Sequence, residues 1–79
     1  MTWNESDGAI RRELTFADFA EAFAFMTRVG LIAQEQGHHP DMAISWNKVT
    51  ITITTHDAGN VVTDKDRKLA AAIDAMGAA

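Results

Sequence analysis

Apolar and polar residues alternate with a period of two in two separate parts of the chain. In the later part the apolar positions, many of them β-branched, are Met42, Ile44, Trp46, Val49, Ile51 and Ile53. This pattern is typical of two strands that bury one face, and it predicts a two-residue turn at Asn47-Lys48. In the earlier part, Asp7-Gly8 is a turn signal inside the segment 3–14, which predicts a shorter hairpin.

A long segment with apolar residues at helical spacing lies between the two hairpins. Thr15 and Asp18 form a capping-box pattern, which predicts that a helix begins at Phe16. Gly37 suits the left-handed stop of a helix, so we expect the helix to end at about Gln36. The apolar residues of this helix fall into two stripes, which are Phe16, Phe19, Phe23, Met26, Gly30 and Ala33, and Ala22, Phe25, Val29 and Ile32.

Two apolar stripes on one helix exceed what a single sheet can cover. The second stripe needs another surface, which in a chain of 79 residues is most simply a second subunit. The alternative interpretation is one wide core stripe with a few exposed apolar side chains. A domain this small buries only about 60% of its unfolded surface, and oligomerisation is a common way to stabilise such a domain. We therefore predict a homo-oligomer.

A second helix is predicted after residue 63. Thr63 and Asp66 repeat the capping-box pattern, and the expected buried face consists of Leu69, Ala72, Ile73 and Met76. The order of two strands, a helix, two strands and a helix predicts an α+β fold. In this fold one four-stranded antiparallel sheet carries both helices on one face. We expect a single domain over residues 1–79.

The three histidines of the chain lie in two short segments, at positions 38, 39 and 56. The predicted turn pairs Ile44 with Ile51, and the same register, continued outward, places His39 opposite His56. Imidazole exchanges protons near neutral pH, and grouped imidazoles titrate as a coupled set. Neither segment contains a serine or cysteine nucleophile, so we interpret the group as an acid–base site. The alternative is a metal site with the ligands His38, His39, His56 and Asp57.

Composition argues against several other classes of function. The formal net charge is −4 and no run of lysine or arginine occurs, which argues against nucleic acid or an anionic membrane as the main partner. No apolar stretch is long enough to span a bilayer. Residues 1–5 lack the basic and apolar regions of a signal peptide, so we expect a cytoplasmic protein. The chain has no cysteine, which excludes disulfides and thiolate metal sites.

Four short motifs resemble those of the pterin-4a-carbinolamine dehydratase family, whose members are also known as dimerisation cofactors of a homeodomain transcription factor. The motifs are His38-His39-Pro40-Asp41, Trp46-Asn47-Lys48-Val49, Thr55-His56-Asp57-Ala58-Gly59 and Thr63-Asp64-Lys65-Asp66. The resemblance extends from Trp3 to about Asp74. It implies an enzyme that dehydrates a 4a-hydroxytetrahydropterin, left by aromatic amino acid hydroxylases, to quinonoid dihydropterin. It also implies neither a metal nor an organic cofactor, and a dimeric or tetrameric assembly.

The resemblance implies roles for individual residues as well. His38 and His56 match the acid–base pair of the family, and His39 matches a substrate-binding histidine. Pro40 and Asp57 are expected beside the substrate, and Asp57 is also a candidate for orienting a histidine ring. The alternative function is a non-catalytic protein-binding module that stabilises a partner's dimer, which the two-striped helix would favour.

Overall fold

Two β-hairpins, each followed by a helix, make up the part of the chain that the computed structural model describes, residues 3–76. The elements are β1 (Asn4–Ser6), β2 (Ala9–Thr15), α1 (Phe19–Gln36), β3 (Asp41–Ser45), β4 (Lys48–Ile53) and α2 (Asp64–Ala75), with a 3₁₀ turn at His56–Ala58. The order of elements is the predicted one. The short 3₁₀ turn, which carries His56, was not predicted.

Within residues 3–76 the strands form one antiparallel sheet in the order β1-β2-β4-β3. Along β4 the residues Val49, Ile51 and Ile53 are fully buried, whereas the threonines between them are partly exposed. The same core contains residues from β2 and from both helices, which are Ile10, Leu14, Ala22, Phe25, Val29, Ala33, Leu69, Ala70 and Ile73. Both helices therefore pack on one face of the sheet, which confirms the predicted α+β architecture.

The first hairpin turns at the predicted place. Asp7 and Gly8 both have positive φ angles, of 51° and 78°, and Ser6 pairs with Ala9 across the two-residue loop. Positive φ at both loop positions is the geometry of a type I′ turn, whose twist matches that of the flanking strands.

The register predicted for the second hairpin is wrong by two residues. Ile44 pairs with Val49, not with Ile51. The turn consists of Trp46 and Asn47, not of Asn47 and Lys48. Trp46 adopts a positive φ of 56° and is 64% exposed rather than part of the buried stripe.

A contact between distant residues explains this displaced turn. The Asn47 side-chain amide donates a hydrogen bond of 2.9 Å to the Phe16 carbonyl, and the Phe16 amide donates one of 2.8 Å to the Asn47 carbonyl. The turn is thus held at Asn47 by the segment between β2 and α1. The predicted pairing of His39 with His56 also fails, because both residues lie outside the strands: β3 begins at Asp41 and β4 ends at Ile53.

The start of α1 also differs from the prediction. Asp18, not Thr15, is the N-cap residue, and its carboxylate accepts a hydrogen bond of 2.9 Å from the Glu21 amide. The Glu21 carboxylate in turn accepts a hydrogen bond of 3.2 Å from the Ala17 amide. Thr15 instead belongs to β2, where it pairs with Lys48. The sheet pairing extends β2 through residue 15 and delays the helix by three residues.

The end of α1 and the start of α2 agree with the predictions. Gly37 adopts the left-handed conformation after Gln36, and Thr63 and Asp66 form the predicted capping box at the start of α2. The sequence also predicts that α2 frays at Gly77, a position that lies outside the described residues. Within residues 3–76 neither helix combines the length and the hydropathy needed to cross a membrane.

The side of α1 that faces the core includes the second apolar stripe and part of the first, to which Ala33 and Met26 belong. Its buried residues are Ala22, Phe25, Val29 and Ala33. On another side of the helix Phe19 and Phe23 stack on each other with ring centroids 5.8 Å apart, and Phe23 and Leu31 are 51% and 69% exposed. An exposed apolar ridge on α1 is what a subunit interface requires, and the oligomer stays a prediction.

Candidate active site

All three histidines line one open cleft of about 210 Å³ at an end of the sheet. Its walls are formed by Gly37, His38, His39, Thr54, Thr55, His56, Asp57 and Lys65. These residues come from the segment after α1, the segment after β4, the 3₁₀ turn and the first turn of α2. The fold therefore brings together the residues that the sequence analysis singled out, although not through the predicted strand pairing.

The C-terminal stop of α1 places His38 and His39. Gly37 has a φ of 66°, which a residue with a side chain adopts only at a steric cost. The Gly37 amide bonds the Gln34 carbonyl at 3.2 Å, and the His38 amide bonds the Ala33 carbonyl at 3.1 Å. These bonds satisfy carbonyl groups that the last turn of the helix would otherwise leave free. They also fix the backbone from which both rings project.

The 3₁₀ turn places His56. The Thr55 amide bonds the Val61 carbonyl at 3.1 Å, and the Gly59 amide bonds the His56 carbonyl at 3.0 Å. Gly59 closes the turn with a φ of 87°. The chain therefore reverses direction directly after Thr55, and His56 stays beside the cleft instead of continuing β4.

A buried carboxylate, Asp66, anchors the His38 ring. Nε2 of His38 lies 2.6 Å from Oδ1 of Asp66, and the Asp66 side chain is fully buried. The other carboxylate oxygen accepts hydrogen bonds of 2.7 Å from the Thr55 hydroxyl and from the Thr63 amide. An ionised carboxylate accepts but does not donate, so Nε2 of His38 carries hydrogen and donates it.

Burial of Asp66 acts to raise its pKa, but the hydrogen bonds from His38, the Thr63 amide and Thr55 together with the charge of His38 hold the pKa below the ordinary value of 3.8. Hydrogen bonds to the ionised form favour it over the neutral form. Asp66 is therefore an anion at neutral pH. It keeps the donor hydrogen on Nε2 of His38.

The contact of Asp66 with His38 was not predicted, because the capping box at the start of α2 already accounted for this aspartate. A signal was nevertheless present. Asp66 lies three, four and seven residues before Leu69, Ala70 and Ile73, the buried face of α2. An acidic residue on the apolar face of a helix needs a polar partner. In a chain with a group of histidines, one of these histidines is a natural candidate for that partner.

The other two rings are held by neutral amide oxygens. Nε2 of His39 lies 2.8 Å from Oε1 of Gln34, and Nδ1 of His56 lies 2.8 Å from Oδ1 of Asn60. Neither Gln34 nor Asn60 was assigned an orienting role from the sequence. Because amide oxygens only accept hydrogen bonds, the ring nitrogen that faces each of them is the one that carries hydrogen.

The remaining predicted site residues have different positions. Asp57 lines the cleft and is exposed, but within residues 3–76 it makes no hydrogen bond to a histidine, and the carboxylate that does so is Asp66. Pro40 is half-buried directly before β3 and is not part of the cleft wall. Lys65, to which no role was given, adds a positive charge to the wall.

Comparison with known proteins gives the family. Residues 1–76 match the family model described as Pterin 4 alpha carbinolamine dehydratase. The chain belongs to the pterin-4a-carbinolamine dehydratase family. This finding confirms the resemblance noted in the sequence.

Curated relatives cover most of the chain. A protein of Rhizorhabdus wittichii is 50% identical over 76 residues, which are 94% of this chain and 77% of the relative. A protein of Paraburkholderia xenovorans is 51% identical over 78 residues, which are 96% of this chain and 80% of the relative. Both names give a provisional assignment as a pterin-4-alpha-carbinolamine dehydratase.

Two solved structures share the fold. A Brucella melitensis protein described as a transcriptional coactivator/pterin dehydratase superposes with a TM-score of 0.88 at 38% identity, over 98% of this chain and 82% of that protein. A pterin dehydratase-like protein identified as a RuBisCO assembly factor in the α-carboxysome superposes with a TM-score of 0.73 at 23% identity, over 94% of this chain and 84% of that protein. The likeness to the second protein concerns the fold alone.

Proposed function

We propose that this protein dehydrates a pterin 4a-carbinolamine to quinonoid dihydropterin by histidine acid–base catalysis, as a step in tetrahydropterin recycling. The observation that carries the proposal is the convergence of His38, His39 and His56 on one cleft. Each ring is anchored to a hydrogen-bond acceptor through one nitrogen. The other nitrogen of each ring is then available to exchange a proton or to bind the substrate.

The reaction needs two proton transfers and no change of oxidation state. The hydroxyl on C4a leaves as water after it receives a proton, and a proton leaves a ring nitrogen as the new double bond forms. One imidazolium and one neutral imidazole supply both transfers near neutral pH. We assign these two roles to His38 and His56 as a pair.

The other predicted residues bind the substrate in this proposal. His39 and Asp57 line the cleft, and both are exposed enough to contact a bound ring system. Pro40 restricts the backbone directly after the two histidines, because its ring fixes φ. It therefore contributes to the site through the orientation of His39 rather than through the cleft wall.

Turnover of freshly generated carbinolamine tests the proposal directly. The wild-type protein should accelerate formation of quinonoid dihydropterin over the buffer rate, and His56→Ala should lower turnover by about 100-fold or more, the scale for one acid–base group. Lys68→Ala is the matched control, since Lys68 is exposed on α2 and does not line the cleft. If the folded wild-type protein does not accelerate formation of quinonoid dihydropterin over the buffer rate, the proposed enzymatic activity is refuted. An unchanged turnover rate in His56→Ala would refute the role of His56.

A second candidate function is binding to another protein. The exposed ridge of Phe19, Phe23 and Leu31 on α1 favours it, as does the description of the Brucella melitensis neighbour as a transcriptional coactivator/pterin dehydratase. This function predicts a stable complex that survives replacement of all three histidines by alanine. Loss of the complex in that variant would contradict a purely non-catalytic role.

A third candidate is a metal site. Among residues 3–76 no group of three or more histidine, aspartate or glutamate side chains is arranged to hold a metal ion. Elemental analysis of the purified protein decides the question. A stoichiometric metal would contradict the proposed metal-free acid–base mechanism. A homodimer or homotetramer in the cytoplasm remains the predicted state of the protein.

A further inference from the structure

We infer that Asn60 is the positioning residue for His56. Its side-chain oxygen keeps hydrogen on Nδ1 of His56, so that Nε2 is the nitrogen that exchanges the proton. The catalytic part of this inference rests on the proposed function, whereas the tautomer of His56 does not.

The hydrogen bond between the two side chains determines the tautomer. Nδ1 of His56 and Oδ1 of Asn60 are 2.8 Å apart. The amide oxygen accepts only, so Nδ1 must donate. A neutral imidazole carries hydrogen on one nitrogen, and the hydrogen bond at one nitrogen decides which tautomer is present. Nε2 therefore holds the free lone pair when the ring is neutral.

The backbone holds the Asn60 side chain in reach of the ring. Asn60 has a φ of 59°, in the left-handed region that asparagine tolerates better than most residues. Its amide donates a hydrogen bond of 3.0 Å to the Thr55 carbonyl. Asn60 thus closes the same loop that the 3₁₀ turn begins. Its side chain contacts that of His56, four residues earlier in the chain.

The turn between β1 and β2 supports this loop from outside. A Cβ atom built on Gly8 would lie only 1.9 Å from the Asn60 carbonyl oxygen, so the two backbones are in direct contact. The Thr54 hydroxyl ties the Gly8 carbonyl to the end of β4 with a hydrogen bond of 2.6 Å. Only glycine fits at position 8. The first hairpin therefore limits the movement of Asn60, although it contributes no residue to the cleft wall.

Two substitutions at position 60 separate the side-chain oxygen from the backbone conformation. Asn60→Gly keeps the left-handed backbone, which glycine adopts readily, and removes the acceptor. Asn60→Asp keeps an acceptor oxygen and also tolerates a positive φ. Both variants tolerate the left-handed backbone, and they differ in the acceptor oxygen and in the negative charge that Asp adds.

Two-bond ¹⁵N–¹H correlation spectra of the uniformly ¹⁵N-labelled protein report the tautomer of each histidine without any pterin. We expect His56 to carry hydrogen on Nδ1 in the wild type and in Asn60→Asp, and to lose this preference in Asn60→Gly. The His38 and His39 rings, which have other partners, should keep their tautomers in all three proteins. A wild-type His56 with hydrogen on Nε2, or an unchanged tautomer in Asn60→Gly, would overturn the inference.

Kinetics with the pterin carbinolamine then test the catalytic consequence. We expect Asn60→Gly to lower kcat by about tenfold or more, because the proton-exchanging nitrogen of His56 is lost in part of the molecules, with a smaller change in KM. Asn60→Asp should retain more of kcat than Asn60→Gly does. Equal kcat in the wild type and Asn60→Gly, with the tautomer changed, would show that Nε2 of His56 is not the exchanging nitrogen. If the wild type shows no turnover at all, the proposed function fails while the spectra still decide the tautomer.

Discussion

Replacement of Asp66 by asparagine should invert the tautomer of His38 while the fold persists. The carboxylate receives three short hydrogen bonds, of 2.6 Å from His38 and of 2.7 Å from Thr55 and from the Thr63 amide. Asparagine has one oxygen and one NH₂ group in place of the two carboxylate oxygens. Because the Thr63 amide can only donate, the oxygen of Asn should remain beside Thr63. The NH₂ group then faces Nε2 of His38.

An NH₂ group opposite Nε2 requires Nε2 to accept, which moves the hydrogen of the neutral ring to Nδ1. The nitrogen that could serve as a base in the wild type is then blocked. If His38 acts in proton transfer, the loss should approach the full contribution of one acid–base group, about 10²–10⁴-fold in kcat. The tautomer itself is measurable by the ¹⁵N–¹H spectra described above.

The expected loss of stability is moderate. Hydrogen bonds to a charged group contribute about 1.5–3 kcal/mol each, against about 0.5–1.5 kcal/mol for neutral pairs, and the neutral amide costs less to bury than the carboxylate does. We expect a net loss of about 1–3 kcal/mol in the free energy of unfolding. A domain of 79 residues typically has about 4–12 kcal/mol, so Asp66→Asn should remain folded in urea-free buffer.

The control is Asp64→Asn, which also removes one negative charge from the first turn of α2 but lies at an exposed position without a histidine contact. Steady-state turnover and urea denaturation of both variants separate catalysis from stability. A folded Asp66→Asn protein with turnover within about twofold of the wild type would refute the claim that Asp66 sets the tautomer in which His38 transfers protons.

Three further outcomes are expected. The stability difference between wild type and Asp66→Asn should shrink as the pH falls from the ordinary aspartate value of 3.8 through the lowered folded-state pKa of Asp66; urea midpoints that do not converge over this range would contradict the lowered pKa. Asp18→Ala should cost about 1 kcal/mol as the loss of a helix cap, whereas Thr15→Ala should stay within about 0.5 kcal/mol, and the reverse order would restore Thr15 as the cap. Sedimentation should show a dimer or larger assembly for the wild type and a smaller species for the double variant Phe19→Ser/Phe23→Ser. A monomeric wild type would refute the predicted subunit interface.

Local patterns predicted the elements because each pattern has a local physical cause. Alternation indicated the strands of the second hairpin, and Gly37 indicated the end of α1. The register could not be predicted in the same way. Pairing Ile44 with Val49 or with Ile51 buries the same face, since a shift of two residues preserves the side-chain alternation. The choice between them depends on the contact of Asn47 with Phe16, 31 residues away in sequence.

The composition of the cleft was predictable to a similar extent. Grouping of the histidines by residue type and position was enough to expect one site, and the helix stop delivers His38 and His39 as expected. Their anchors were not predictable from spacing alone. Asp66 lies 28 residues from His38, and Asn60 reaches His56 only because the backbone adopts a left-handed conformation at position 60.

The three anchors have one property in common that bears on catalysis. Asp66, Gln34 and Asn60 all present an acceptor to a ring N–H, and a histidine keeps that N–H both when it is neutral and when it is protonated. A proton can therefore arrive at or leave the opposite nitrogen without breaking the bond that orients the ring. A donor in any of these positions would hold its ring in the neutral form. Acceptor anchors let each ring pass through both protonation states in one fixed orientation, which avoids reorganisation during the reaction.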